Sequence, residues 1–268
     1  MDPKKTIYIM AKEFLITKIW EHISNPAIIL DSYTKININT SQNSINIVMK
    51  RLIESLKNRN QMAKVINIDI NKIEFDKIIC NYNPQDIYSK YWENFELLLQ
   101  DLKEIFIIKN IDSSRNLWRI FSHWILSGAK FLNLFQSWED FNAFVNVFWN
   151  NVYTKAALPM LLEKEIFWFW FALACDFLKE LWYVEYPKPD IHLIDILTKT
   201  NISSSNNIYD IYKDMINLSN LNKVTAYEFD KILWLIGSWN LYNHDIKLWN
   251  NKSQFIEYYN NSKLDFNT

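Results

Sequence analysis

The stretch EIFWFWFALACDFLKELWYVEYPKPDIHLIDI, residues 165–196, decides how this chain is read. The segment YTKAALPMLLEKEI (153–166) leads into it and reads as a helix. FWFW (167–170) is a four-residue connector, and FALACDFLKEL (171–181) is a second, buried helix ending at Trp182. YVEYPKP (183–189) is extended, because residues that precede proline avoid the α region. Asp190 then stands immediately before IHLIDIL, an apolar-periodic helix over 191–199, where an aspartate makes a good N-cap. Three of the six prolines (Pro159, Pro187, Pro189) fall in 159–189, the one segment where chain direction must be set tightly.

Glycine is the anomaly. An average chain carries about 7% Gly, so roughly 19 are expected at this length. This chain has two, Gly128 and Gly237, and it has 12 Trp. Helix C-caps and tight turns need residues that reach positive φ, and Asn supplies only part of that need. The two departures read as one: Gly and Trp together number 14, an ordinary glycine total. The richness in Ile, Asn, Lys, Tyr and Phe fits an AT-rich gene. Some bacterial lineages read the codon UGA as glycine and others as tryptophan. The expectation is therefore that several tryptophans stand where the native chain has glycine. The alternative is a lineage simply rich in tryptophan. Trp138 (FQSWEDF), Trp149 (FWNN), Trp168, Trp170, Trp182 (KELWYVEY) and Trp239 (LIGSWNLY) occupy places where a turn or C-cap favours glycine. Trp20, Trp124 and Trp234 lie on apolar helical spacing and read as core, while Trp92, Trp118 and Trp249 stay unsorted.

Composition bounds the rest. The chain has 268 residues, enough for one large domain or two small ones sharing a core. Hydrophobic content of 49% against 22% charged residues is the profile of a folded protein rather than a disordered one. A net charge of −1 argues against a broadly basic nucleic-acid coat, yet leaves room for a local phosphate site built from backbone amides. Cys80 and Cys175 are too few for a disulfide scaffold, a four-cysteine zinc site or an iron–sulfur cluster, and they suit a reducing cytoplasm. His22, His123 and His244 show no metal-ligand spacing, so neither a metal nor a cofactor is expected. The N-terminus is amphipathic and charged, unlike a signal peptide. The most apolar run, Ile166 to Cys175, is far short of the ~20 residues a membrane span needs.

Apolar 3/4 spacing predicts further helices over 8–24, 45–60, 89–109, 115–127, 139–149, 208–218, 225–236 and about 251–260. KVINIDINKIEF (64–75) alternates, so a short strand and a helix lead-in are both open. The expected fold class is all-α: two helical lobes with a helix-hairpin-helix motif and a cleft between the lobes. The expected division is an N-terminal helical region (1–110), a hairpin-bearing core (111–200) and C-terminal helices (201–268) that pack with the N-terminal region.

With glycine at 168 and 170 the connector becomes Phe-Gly-Phe-Gly. That is a hairpin whose N–H groups can approach a phosphate at the positive end of the following helix. Helix, G-x-G hairpin, helix, extended loop and an aspartate opening a further helix together resemble the helix-hairpin-helix DNA glycosylase superfamily, over roughly 111–200. PDIH, Pro189–His192, stands in for that family's V-D-T-H-type motif. The resemblance implies that Asp190 is the catalytic carboxylate and that Trp168, Phe169, Trp170 and Phe171 form the DNA-gripping hairpin. Lys188 and His192 support DNA contact. The family's Schiff-base lysine position falls on Ala172, 18 residues before Asp190, which implies a monofunctional enzyme without β-lyase chemistry. Double-stranded DNA is the implied partner, base-excision repair the implied setting, and a cytoplasmic monomer the implied state.

The chemistry is coherent. Breaking an N-glycosidic bond builds positive charge on deoxyribose, which a fixed carboxylate can stabilise, or the carboxylate can deprotonate the attacking water. The base must first be flipped into a pocket, and aromatic rings stack on any base. Phe121, Trp124, Phe131 and Phe135 are the candidates. Plainer readings stand beside these. Asp190 alone is an N-cap, His192 a structural residue at a helix start, Lys188 a solvated loop lysine, and Asp176 with Glu180 a solvated face. A non-catalytic DNA-binding protein on the same fold, in genome defence or modification, and an all-α protein- or ligand-binding module are the rival functions.

Overall fold

The computed structural model describes residues 3–35, 44–57, 62–238, 240–248 and 251–266. The fold is all-α. The helices in chain order are α1 (Pro3–Trp20), α2 (Pro26–Thr34), α3 (Ile45–Lys57), α4 (Met62–Val65), α5 (Lys72–Ile78), α6 (Pro84–Tyr91) and α7 (Phe95–Ile105), then α8 (Leu117–Leu132), α9 (Trp138–Val147), α10 (Val152–Glu165) and α11 (Phe171–Glu180), and finally α12 (Ile191–Lys199), α13 (Ile208–Asn222), α14 (Ala226–Ser238) and α15 (Asn251–Phe266). Among the described residues the only strands are β1 (Asn240–Leu241) and β2 (Ile246–Lys247), paired antiparallel. No helix among them is long and apolar enough to cross a membrane.

Asparagine starts many of these helices. Asn116 accepts the N–H groups of Trp118 and Arg119, and Asn83 those of Gln85 and Asp86 ahead of Pro84 at N1. Asn151 and Thr154 form a reciprocal capping box at α10. Each such cap answers N–H groups that the helix itself cannot satisfy.

The described chain forms two compact units that divide at Leu181/Trp182. The first gathers α1 and α2 with everything from Trp182 onward. Its core joins Ile7, Leu15, Leu30, Leu193, Phe229 and Ile236, so helices from both ends of the sequence bury one another's apolar faces. The second holds α3 to α11. Leu52 and Leu56 of α3, Leu98 and Leu102 of α7, and Phe121 and Trp124 of α8 are among its fully buried side chains. The division therefore falls inside the 111–200 segment read as one core. The connector 167–170 lies in the second unit, whereas Asp190 lies in the first.

Several expectations change. The helix expected over 89–109 is two, because the chain breaks between Tyr91 and Phe95. Trp92 there has φ 49°, ψ −137°, which no helix admits. The 64–75 segment is helical, made of a short 3-10 turn (Ile68–Asn71) running into α5. The helix α2 and the β1–β2 ribbon were not anticipated. Trp20 is 67% exposed as the last residue of α1, so it is not core: the buried stripe of that helix runs through Ile7, Ala11, Leu15 and Ile19, and Trp20 lies one position round from it. Asp176 is buried rather than solvated and pairs with Lys179 at 3.4 Å. Trp239 and Trp249 lie outside the described residues.

Candidate functional site

Two separate constructions carry the residues of interest. The first is the connector between α10 and α11. The N–H of Phe169 donates to Ile166 O at 3.2 Å, and the N–H of Phe167 donates to Ser127 Oγ of α8 at 3.0 Å. Side chains alternate through it. Phe169 and Phe171 point into the core, where Phe169 meets Trp124 edge-on at 5.7 Å, while Trp168 and Trp170 are 41% and 52% exposed. Trp168 has φ 58°, in the left-handed region, and Trp170 occupies the N-cap of α11 without a side-chain cap bond. His123 of α8 is stacked between Phe95 and Phe167, at 4.6 and 3.8 Å, and burial pushes its imidazole below the ordinary range.

The second construction surrounds Asp190. The segment 183–189, expected to be extended throughout, makes a turn at Val184–Glu185, with Tyr186 N–H donating to Tyr183 O at 3.0 Å, and is tied to α14 at two points. Tyr227 N–H donates to Val184 O at 2.8 Å, and Lys188 N–H donates to Asp230 Oδ2 at 2.8 Å. This fixes where α12 begins. Asp190 is its N-cap, with Oδ1 accepting the N–H groups of His192 (2.9 Å) and Leu193 (3.2 Å). Oδ2 accepts no hydrogen bond among the described residues. Burial first, and the neighbouring Asp230 carboxylate second, push the Asp190 carboxyl above the usual carboxylate range. The Leu193 bond and the charges of His192 and Lys188 oppose them. His192 packs on Gly237 of α14, and its buried Nδ1 has no hydrogen-bond partner among the described residues.

The structure thus brings Lys188, Asp190 and His192 together, and it adds Asp230 and Gly237, which sequence reasoning missed. A signal for both existed. Ala226, Asp230, Leu233 and Gly237 fall on one helical stripe, and an acid on such a stripe is a buried charge. The aromatic candidates sit elsewhere. Phe121, Trp124 and Phe131 are buried core side chains of the second unit, packed among Phe75, Trp118, Phe169 and Phe144. Phe135 alone of the four lines an open depression, of about 510 Å³, shared with Ile45, Asn83, Gln85, Asn133 and Gln136. No group of three or more His, Cys, Asp or Glu side chains among the described residues could hold a metal ion.

No protein-family model, no curated protein and no solved structure matches the chain.

Proposed function

We propose that the chain is a DNA glycosylase-like protein of the helix-hairpin-helix type, monofunctional, with Asp190 as its working carboxylate. The observation that carries this reading is the state of Asp190. It is held at a helix N-terminus by one oxygen, with the other uncommitted, and its proton affinity is raised by burial beside a second acid. Asp230 also holds the loop through Lys188 N–H, so the reading leans on the uncommitted oxygen of Asp190 rather than on the presence of a second acid. A partly desolvated carboxylate with a free oxygen can stabilise an oxocarbenium-like sugar or take a proton from water.

In this reading the connector 167–170 meets a DNA phosphate, and Asp190 is the carboxylate that acts on the deoxyribose. Base release from a panel of alkylated, oxidised and deaminated duplexes tests it. Release that survives Asp190→Asn unchanged ends the reading.

A second reading has a specific observation behind it. Trp168 and Trp170 are 41% and 52% exposed on the connector that, in the first reading, would meet a phosphate, and two indoles there would hinder close approach of its backbone N–H groups. A non-catalytic DNA-binding protein follows if both are tryptophan in the cell, and it predicts DNA affinity with no abasic product from any lesion.

A further inference from the structure

Among the described residues no glycine has positive φ. Gly128 and Gly237 both sit inside helices, where the missing Cβ admits a close neighbour: Leu52 Cδ2 at 2.3 Å and His192 Cβ at 2.4 Å from where a Cβ would stand. The usual conformational task of glycine is thus done by other residues. Asn25, Asn81, Asn110, Asn201 and Asp245 take positive φ, as short polar side chains tolerate. Cys80 (φ 50°), Lys223 (φ 56°), the C-cap of α13, and Tyr82, with its hydroxyl tied to Asp76 at 2.6 Å, do too. Three more are tryptophans: Trp92 (φ 49°), Trp168 (φ 58°) and Trp182 (φ 68°).

Each of the three is a glycine place by geometry. Trp92, at φ 49° and ψ −137°, has the backbone of the first central residue of a type II′ turn, where a Cβ collides with its own chain. Trp182 follows the C-cap Leu181 of α11 and is its left-handed C′ residue. Trp168 turns the connector between α10 and α11. Trp92 and Trp168 are also 67% and 41% exposed, stacked on Tyr88 and Phe167 close by in sequence. Trp118 and Trp124 differ in every respect: they are helical, buried and packed in α8.

We propose that positions 92, 168 and 182 carry glycine in the protein as its own cells make it, and that Trp118 and Trp124 are tryptophan there. One codon read in two ways, UGA as glycine rather than tryptophan, accounts for all three places and moves the glycine and tryptophan counts in the direction of ordinary usage. The inference does not rest on the glycosylase reading. It bears on that reading at one point, since glycine at 168 removes an indole from the connector.

Tryptic peptides of the native protein decide it by mass and fragmentation. YWENFELLLQDLK (91–103), EIFWFWFALACDFLK (165–179) and ELWYVEYPKPDIHLIDILTK (180–199) cover the three positions, and IFSHWILSGAK (120–130) is the control. The expected result is glycine at 92, 168 and 182 and tryptophan at 124. Tryptophan at any of the three overturns the proposal, as does glycine at 124. A recombinant chain supplies an independent readout. Trp92→Gly, Trp168→Gly and Trp182→Gly each raise Tm, by about 2–4 °C for every left-handed strain of ordinary size relieved, whereas Trp124→Gly lowers it. A fall in Tm in the three variants shows a backbone adapted to indole and overturns the proposal too.

Discussion

The backbone N–H of Lys188 donates to Asp230 Oδ2 at 2.8 Å, and this bond holds the turn that delivers Asp190 to the start of α12. Asp230 thereby does two things. It positions the loop, and its charge raises the proton affinity of Asp190.

Replacing Asp190 separates capping from chemistry. Asn is as good an N-cap as Asp, so Asp190→Asn keeps both bonds to His192 and Leu193. Base release is expected to be abolished while the fold is retained. Asp190→Ala also loses the cap, at a cost of about 1 kcal/mol. Single-turnover base release and urea denaturation on the same preparations check both.

The pH dependence of stability has a definite sign. The folded carboxyl of Asp190 binds its proton more tightly than the unfolded one, because burial and Asp230 disfavour the charge. The stabilisation is complete below the unfolded value, about 3.9, and is lost as pH rises through the raised folded value. Asp190→Asn is therefore expected to be more stable than the parent chain at pH 7, with the difference closing toward acid. Denaturation series at several pH values measure this.

Asp230→Asn removes the charge and keeps an acceptor for Lys188. The Asp190 carboxyl then falls back toward its ordinary range, and the acid limb of a pH–rate profile moves to lower pH. Asp230→Ala instead leaves the part-buried Lys188 N–H without this acceptor and is expected to cost about 1 kcal/mol. An acid limb that does not move in Asp230→Asn separates Asp230 from Asp190.

Gly237→Ala and Gly128→Ala are expected to differ. At 237 the new Cβ meets His192 Cβ, which its own helix holds in place, so about 1–3 kcal/mol is lost to overpacking. At 128 it meets the end of the Leu52 side chain, which can turn, and the better helix propensity of Ala offsets part of the cost. Thermal denaturation of the pair checks the order.

Much of the architecture was legible in the chain. Apolar 3/4 spacing located most helices, the bounds 191–199 among them, since burial of one face outweighs other local preferences. The surplus of tryptophan over glycine was visible from counting alone. The N-cap role of Asp190 followed from its place before an apolar helix. Tertiary structure decided the rest. It set Asp230, 40 residues along the chain, beside Asp190, because α12 and α14 pack in one core. It buried Phe121, Trp124 and Phe131 in another core rather than around a pocket. It gave Trp92, Trp168 and Trp182 a left-handed backbone and Trp118 and Trp124 a helical one. Periodicity records which face of a segment avoids water, but neither the partner that covers that face nor the φ of a turn residue is written in spacing. Those follow only when distant segments pack.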